Sequence, residues 1–170
     1  MTESETIDVG KTDGYVWVQV KGKGSFAGSP QLKDYVERRI TEGERRFVVD
    51  LAGCPAMDST FMGTLAGVAM RLGRVSGERL QLNGVNERNR QSLEDLGLDV
   101  LIDINPRDPD WGDHVEEVRG HLEPLHEESE AVDATHVLEA HRRLCEANER
   151  NYRKFATVLD VLGRQAAGEG

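Results

Sequence analysis

The sequence predicts an α/β domain with a mixed, largely parallel sheet, followed by an α-helical C-terminal extension. Over about the first hundred residues, apolar segments rich in β-branched residues alternate with segments of helical period, as in α/β proteins. From His114 onward the strand signal disappears, glutamate becomes frequent and apolar residues recur at helical spacing. The intervening segment NPRDPDWGD, residues 105–113, is rich in proline and aspartate and is typical of a boundary. We therefore expect a domain over residues 1–112 and an extension over residues 113–170.

Each predicted strand is a short apolar segment bounded by glycine or by charged residues. The strands are expected at Gly14–Lys21, Arg46–Leu51, around Leu80 and Leu82, and at Val100–Ile104. The second of them has the most apolar sequence, so we place it near the centre of the sheet.

The predicted helices have start and stop residues that match known capping preferences. The first begins with Ser29 as N-cap and Pro30 as first helical residue and stops at Gly43, the second runs from about Ser59 to Val75 and ends at Gly77, and the third opens at Asn86 and stops at Gly97.

In the extension, one long helix is expected from about Ala134 to Gly163. Its apolar stripe contains Val137, His141, Leu144, Asn148, Asn151, Phe155, Val158 and Leu162. A helix with so apolar a face does not stand alone in water. We expect it to pair in a homodimer in which Asn148 and Asn151 fix the register. The alternative is that it folds back on the α/β domain.

Composition excludes several classes of function. The formal net charge of −10 argues against nucleic acid and against anionic membrane surfaces as partners. No apolar run of about 18 residues is present, so no transmembrane helix is expected. Cys54 and Cys145 lie far apart and form no motif. A cytoplasmic protein with free thiols is therefore expected.

No motif for a cofactor, a metal ion or catalysis stands out. The glycine-rich segment GKGSFAG, residues 22–28, fits neither the P-loop nor the dinucleotide pattern and is expected to be a turn. His114, Glu117 and His121 share a helical face, but no zinc signature is present and we expect them to meet solvent. The nucleophile-elbow pattern of hydrolases is absent. We expect no metal, no cofactor and no enzymatic activity.

The segment AMDSTFMGTLAG, residues 56–67, places Asp58, Ser59 and Thr60 at the start of the second helix. A helix N-terminus carries unpaired N–H groups and a positive dipole end, which accommodate an anion. A hydroxyl there is a cap, a nucleophile or a phosphate acceptor.

This helix has two predicted faces. A small-residue face consists of Gly63, Ala66, Gly67 and Met70, while the core face consists of Phe61, Met62, Leu65, Val68, Ala69 and Leu72. Glycine inside a helix costs roughly 1 kcal/mol relative to alanine. The two glycines therefore indicate a close approach, either by a partner or within the domain.

From about Gly14 to Ile104 the sequence resembles the STAS domain, which is shared by sulfate-transporter tails and bacterial anti-sigma factor antagonists. The resemblance lies in the order of elements, in the strand Val48-Val49-Asp50-Leu51, and in Asp58-Ser59-Thr60-x-Met62-Gly63. The family usually has Asp-Ser-Ser/Thr-Gly-Leu-Gly at the latter position. Phe61 replaces the first glycine of that motif, and we expect this bulky residue beside the docking surface.

The resemblance implies a regulatory role. In the antagonist branch, an anti-sigma factor with serine kinase activity phosphorylates the first hydroxyl of the motif, which here is Ser59. The unphosphorylated antagonist binds that kinase and frees its sigma factor. By this resemblance Asp58 shapes the motif, and Thr60, Gly63 and Gly67 line the partner interface.

Two other functions stay open at this stage. The chain could be a STAS scaffold that is never phosphorylated and that acts in assembly through its C-terminal helix. A small-molecule or lipid carrier is less favoured, because the acidic, aromatic-poor sequence shows no sign of an apolar pocket.

Overall fold

A computed structural model describes residues 5–12, 14–125 and 134–168 of the chain. The strands are β1 (Thr6–Thr12), β2 (Tyr15–Lys21), β3 (Phe47–Gly53), β4 (Leu80–Asn83), β5 (Ile102–Ile104) and β6 (Glu123–Pro124). The helices are α1 (Ser29–Thr41), α2 (Ser59–Ser76), α3 (Glu87–Asp95), α4 (Val115–Arg119), α5 (Ala134–Ala147) and α6 (Asn151–Gly168), with short 3-10 turns at Leu98–Val100 and Gly112–His114.

The strands form one mixed sheet in the order β5-β4-β3-β2-β1-β6. Strands β2 to β5 are parallel, and β1 runs antiparallel to both of its neighbours. The predicted α/β class and largely parallel sheet are confirmed. Strands β1 and β6 were not predicted from the sequence. The first contains polar residues and a glycine that weaken its strand pattern, and the second is only two residues long.

Capping residues set the start and end of the second and third helices, as predicted. The Asp58 carboxylate accepts a hydrogen bond from the Phe61 amide at the start of α2, and Gly77 ends that helix at φ 77°. The Asn86 side chain accepts from the Asn89 amide at the start of α3. The first helix differs from prediction. Its N-cap is Gly28, and Ser29 is its first residue. The Ser29 hydroxyl does not cap the helix and donates instead to the Phe26 carbonyl.

The two faces of the sheet are covered differently. Helices α1, α2 and α3 lie over the main core, which contains Leu32, Val49, Leu65 and Leu82 among its buried residues. The opposite face carries a smaller cluster of Trp17, Val48, Trp111 and Val118. In it the rings of Trp17 and Trp111 meet edge to face with their centroids 5.3 Å apart. The segment that includes α4 thereby closes the second face.

A buried ion pair attaches α4 to the centre of the sheet. The Asp50 side chain on β3 is fully buried, and its Oδ2 accepts from Nε of Arg119 at 2.7 Å. The amide nitrogens of Ala52 and of the Asn83 side chain donate to Oδ1 at 3.2 Å each. Arg119 keeps about a quarter of its side chain in contact with solvent. The guanidinium therefore neutralises a carboxylate that has little access to water.

The single long helix predicted from about Ala134 to Gly163 is two helices, α5 and α6, in the structure. Asn148 ends α5, because its Oδ1 accepts from the Arg150 amide in a turn. Asn151 then starts α6 fully buried, and its Nδ2 donates to the carbonyls of Leu96 and Leu144. The asparagines thus make contacts inside the chain, and α5 folds back on α2 while α6 packs along α5. No helix in the described ranges is both long and apolar enough to cross a bilayer.

We expect Arg119→Ala to lower the free energy of unfolding by about 3 kcal/mol, because it leaves the Asp50 carboxylate buried without a cation. Arg79→Ala is the matched control. It removes an exposed pair with Asp103 and should cost less than about 1 kcal/mol. Urea unfolding of both variants measures the difference. Equal losses in the two variants would contradict the structural role of the buried pair.

Candidate functional site

Asp58 organises the site by binding two segments at once. Its Oδ1 accepts from the Phe61 amide in the first turn of α2, and its Oδ2 accepts from the Phe26 amide in the loop between β2 and α1, at 2.8 Å each. A carboxylate at this position also interacts favourably with the positive end of the helix dipole. Asp58 therefore caps α2 and fixes the neighbouring loop, and Ser59 follows as the first residue of the helix.

The Ser59 hydroxyl contacts a histidine from the C-terminal extension. Its Oγ lies 2.8 Å from Nε2 of His141 on α5. Ser59 is half-buried, and His141 is 4% exposed. The Ser59 hydroxyl therefore lies at the start of α2, as predicted, but the His141 side chain, 82 positions further along the chain, covers it.

Two contacts fix the orientation of the His141 ring. Its Nδ1 lies 2.8 Å from the Val137 carbonyl oxygen, and its ring meets that of Phe155 edge to face at 4.9 Å. A carbonyl only accepts, so Nδ1 donates to it. In the neutral ring Nε2 is then the acceptor, and the Ser59 hydroxyl donates to it.

The small-residue face of α2 is in contact with α5. A Cβ added to Gly63 would lie 2.5 Å from the carbonyl carbon of Ala140 and closer still to its oxygen. A Cβ on Gly67 would lie 3.3 Å from Cγ of Arg143. The close approach that the two glycines predicted thus occurs within the chain. We call the surface formed by Ser59, Gly63 and Gly67 the α2 face.

The other predicted site residues are less accessible than the sequence suggested. Thr60 is 5% exposed, and its carbonyl accepts from the Thr64 hydroxyl at 2.9 Å. Phe61 was predicted on the core face of α2, which is confirmed, and it does not lie beside the docking surface, where its motif position had also suggested it. Its side chain is fully buried in the main core and fills the space next to Gly24. Replacing the family's glycine by Phe61 therefore alters the core side of α2 and leaves the α2 face unchanged.

The contact between Ser59 and His141 was not predicted from the sequence. His141 was placed on the apolar stripe of the extension, which correctly gives its face of α5. No local pattern encodes a contact between positions so far apart in sequence. His136, five residues earlier, reaches a different serine, since its Nε2 lies 2.7 Å from Oγ of Ser29. The two histidines thus join α5 to the starts of α1 and α2.

The surroundings of Ser59 are acidic. Asp58 is its chain neighbour, and the Glu5 carboxylate lies at the same loop, where it accepts from the Ser25 amide at 3.1 Å and from the Ser25 hydroxyl at 2.9 Å. Desolvation raises the pKa of Glu5 despite these hydrogen bonds, and the nearby charge of Asp58 raises it further. A negative charge on Ser59 would therefore be added directly beside that of Asp58.

A serine bonded to an oriented histidine is also the pair that activates hydroxyl nucleophiles. Here that pair does not line the cavity of about 360 Å³ between α1, α2 and α5, whose wall includes Lys33, Thr64 and Arg74. Within the described residues, no group of three His, Cys, Asp or Glu side chains is placed to hold a metal ion.

Comparison with known proteins identifies the class to which this domain belongs. The family model described as "Mlab, STAS domain" matches residues 7–103, which is more than half of the chain. The chain belongs to the STAS domain family. A search of curated proteins finds no significant match.

Three solved structures show the same fold. A candidate anti-sigma factor antagonist from Thermotoga maritima is 19% identical with a TM-score of 0.56, and the match covers 66% of this chain and 94% of that one. An anti-sigma factor antagonist from Mycobacterium paratuberculosis is 23% identical with a TM-score of 0.54, covering 68% and 95%. The antagonist SpoIIAA in its unphosphorylated form is 17% identical with a TM-score of 0.50, covering 69% and 99%.

Two glycines of α2 provide a matched test of the α2–α5 contact. Gly63→Ala should destabilise the protein, because its new methyl group overlaps the Ala140 backbone. Gly73→Ala on the same helix meets nothing within 4 Å and should stabilise by about 1 kcal/mol through helix propensity. Thermal unfolding of both variants measures whether each substitution lowers or raises the stability of the protein. A Gly63→Ala protein as stable as the Gly73→Ala protein would show that α5 does not pack here.

Proposed function

We propose that this STAS domain is a non-catalytic regulatory module, an anti-sigma factor antagonist that switches partners through phosphorylation of Ser59. Its partner would be an anti-sigma factor with serine kinase activity, and it would act in transcription regulation in the cytoplasm. Asp58 would hold the motif in shape, and Thr60, Gly63 and Gly67 would contact the partner. No cofactor or metal is required for this function.

The position of Ser59 at an Asp58-capped helix start is the observation that carries this proposal. The hydroxyl lies in the first turn of α2, where backbone N–H groups stabilise a phosphate locally, so the domain can remain folded when modified. Beside it, Gly63 and Gly67 provide a surface on which another helix backbone comes close. The structural neighbours that share this fold are described as anti-sigma factor antagonists or as a candidate antagonist.

The switch would operate through the cost of burying charge. A phosphate on Ser59 adds a charge of about −1.5 to −2. A partner docked on the α2 face would bury that charge beside Asp58. An unpaired buried charge at an interface costs on the order of 2–5 kcal/mol, which is roughly a thirtyfold to several-thousandfold loss of affinity. Phosphorylation would therefore release the partner.

A second candidate function is supported by the contact between α5 and the α2 face. A domain whose face is permanently covered would be a scaffold, never phosphorylated, that acts in assembly through its C-terminal helices. A homodimer through these helices stays a prediction. It would use the outer side of α6, where Tyr152 and Val161 are about half exposed. Sedimentation of the full chain gives the oligomeric state.

Phosphorylation and binding assays test the leading proposal. The full chain is incubated with ATP and each serine-kinase-type anti-sigma factor of its source organism, and the modified position is mapped by mass spectrometry. We expect phosphate on Ser59 and none on Ser59→Ala. Ser59→Asp should fold normally but bind the partner roughly thirtyfold or more weakly, whereas Ser59→Ala should bind without release.

Ser76→Asp is the charge-matched control. It adds the same charge at the exposed end of the same helix, away from the α2 face, and should bind like the native chain. If Ser59→Asp also binds like the native chain and no kinase modifies Ser59, the switch is wrong and Ser59 serves only as a structural contact.

A further inference from the structure

The chain's own α5 occupies the surface that the proposed partner would need. His141 covers the Ser59 hydroxyl, the Ala140 backbone lies against Gly63, and Arg143 lies over Gly67. Ser59, Gly63 and Gly67 therefore all contact α5. A partner helix cannot reach the α2 face while α5 is in place, because two helix backbones cannot occupy one groove.

The helices that cover this face are an addition to the domain. The family match ends at residue 103, before α5 begins at Ala134. The six-stranded sheet and the buried members of its two cores come from residues up to Val118 and Pro124, with Leu144 as the one buried core member among the described residues of α5 and α6. We call α5 and α6 together the C-terminal hairpin. The domain has its own core beneath this hairpin.

Within the C-terminal hairpin, α6 is held less firmly than α5. Asn151 is the one buried residue among those described in α6, and Tyr152 and Val161 are 53% and 47% exposed. Beyond α5, its hydrogen bonds to the domain come from Asn151 to the Leu96 carbonyl and from Lys154 to the Asp95 carbonyl. Elements with few buried apolar contacts open at lower free energy than the core.

We infer that the C-terminal hairpin is an intramolecular occupant of the α2 face, which a partner must displace with a helix of similar surface. This inference rests on the proposed function for the identity of the displaced surface. The chemistry of α5 defines that partner helix. The partner helix would place a small residue against Gly63, as α5 does with Ala140. The next residue of that helix would have a side chain that hydrogen-bonds with Ser59, as His141 does.

The same contact makes the hairpin sensitive to phosphate on Ser59. The Ser59 hydroxyl donates to His141 in the neutral ring, and phosphorylation removes that proton from the donor. It also introduces a charged group against the buried His141 ring, one residue from the Asp58 carboxylate. The hairpin and the partner thus respond to Ser59 phosphate in the same way, since each buries Ser59 under a helix.

Two native cysteines report hairpin opening without any partner. Cys145 on α5 and Cys54 after β3 are each 1% exposed, and desolvation raises the pKa of both thiols. In urea below the unfolding transition, we expect a fluorescent maleimide to modify Cys145 first and with a weaker dependence on urea than Cys54. Equal rates and equal urea dependence would overturn the inference, because the hairpin would then open only with the whole protein.

A variant on α5 alone tests the displacement. Ala140→Arg places a long side chain against Gly63 without changing α2, and the labelling rate of Cys145 should rise roughly tenfold or more. Arg142→Ala on the exposed side of α5 is the matched control and should leave the rate unchanged. An unchanged rate in a folded Ala140→Arg protein would contradict the contact.

A labelled peptide with the sequence of residues 134–168 then probes the uncovered face. It should bind the Ala140→Arg chain at least roughly tenfold more tightly than the native chain, whose own hairpin competes. Adding Gly63→Leu to Ala140→Arg should abolish this binding. Equal binding by the native and Ala140→Arg chains would overturn the inference.

These assays contain no kinase and no partner, so their outcome is independent of the proposed phosphorylation. Early labelling of Cys145 together with an unmodified Ser59 would support the detachable hairpin and contradict the switch. Phosphorylation of Ser59 together with equal labelling of Cys145 and Cys54 would support the switch and contradict the hairpin as a displaceable occupant of the α2 face.

Discussion

The contact between the Ala140 backbone and Gly63 is the constraint on which the geometry of the candidate site depends. Gly63 has no side chain to hold α5 away, so the two helix backbones come together there. That approach lets His141 reach Ser59 and Arg143 cover Gly67. A glycine inside α2 costs roughly 1 kcal/mol in helix propensity. Here that cost is offset by burial of apolar surface, including Leu144, between the helices.

Local signals in the sequence were sufficient to predict most of the α/β domain. Hydrophobic periodicity predicted strands β2 to β5 and helices α1 to α3. Capping residues such as Asp58, Gly77 and Asn86 marked helix ends, because they act through hydrogen bonds or backbone conformation close by in sequence. Strand β1 was missed since its stability comes from pairing with β2. The break between α5 and α6 was missed because helical spacing continues across Asn148, whose turn depends on its own side chain and on the buried Asn151.

The candidate site was predictable in part, for a related reason. Asp58 and Ser59 were found because a helix start has a sequence signature, and Gly63 and Gly67 because small residues at helical spacing indicate close packing. What lies on those glycines is a tertiary contact between distant segments, and the sequence contains no local mark of it. Helical spacing placed Phe61 correctly on the core face of α2, whereas its position in the family motif alone suggested a place beside the docking surface.

Both candidate functions depend on how long α5 stays on α2. A hairpin that never leaves makes the domain a scaffold with an internal Ser59–His141 contact. If the hairpin opens, its closed state competes with the partner, and the partner's apparent affinity is its intrinsic affinity multiplied by the fraction of chains that are open. In that case the acidic surroundings of Ser59 disfavour its phosphorylated form beneath any helix, whether from the chain or from a partner. One local charge would then control both associations.

Disulfide trapping tests most directly whether α5 of the same chain covers α2. Gly67→Cys and Arg143→Cys bring two thiols near bridging range, and Cys54→Ala and Cys145→Ala remove the native thiols. Gly67→Cys with Arg164→Cys, an exposed position on α6, is the control pair. Packing of α5 on α2 of the same chain predicts rapid formation of a disulfide within one chain for the first pair, and slower formation when Ser59→Asp is added. A disulfide that forms only between two chains, or none at all, would contradict it.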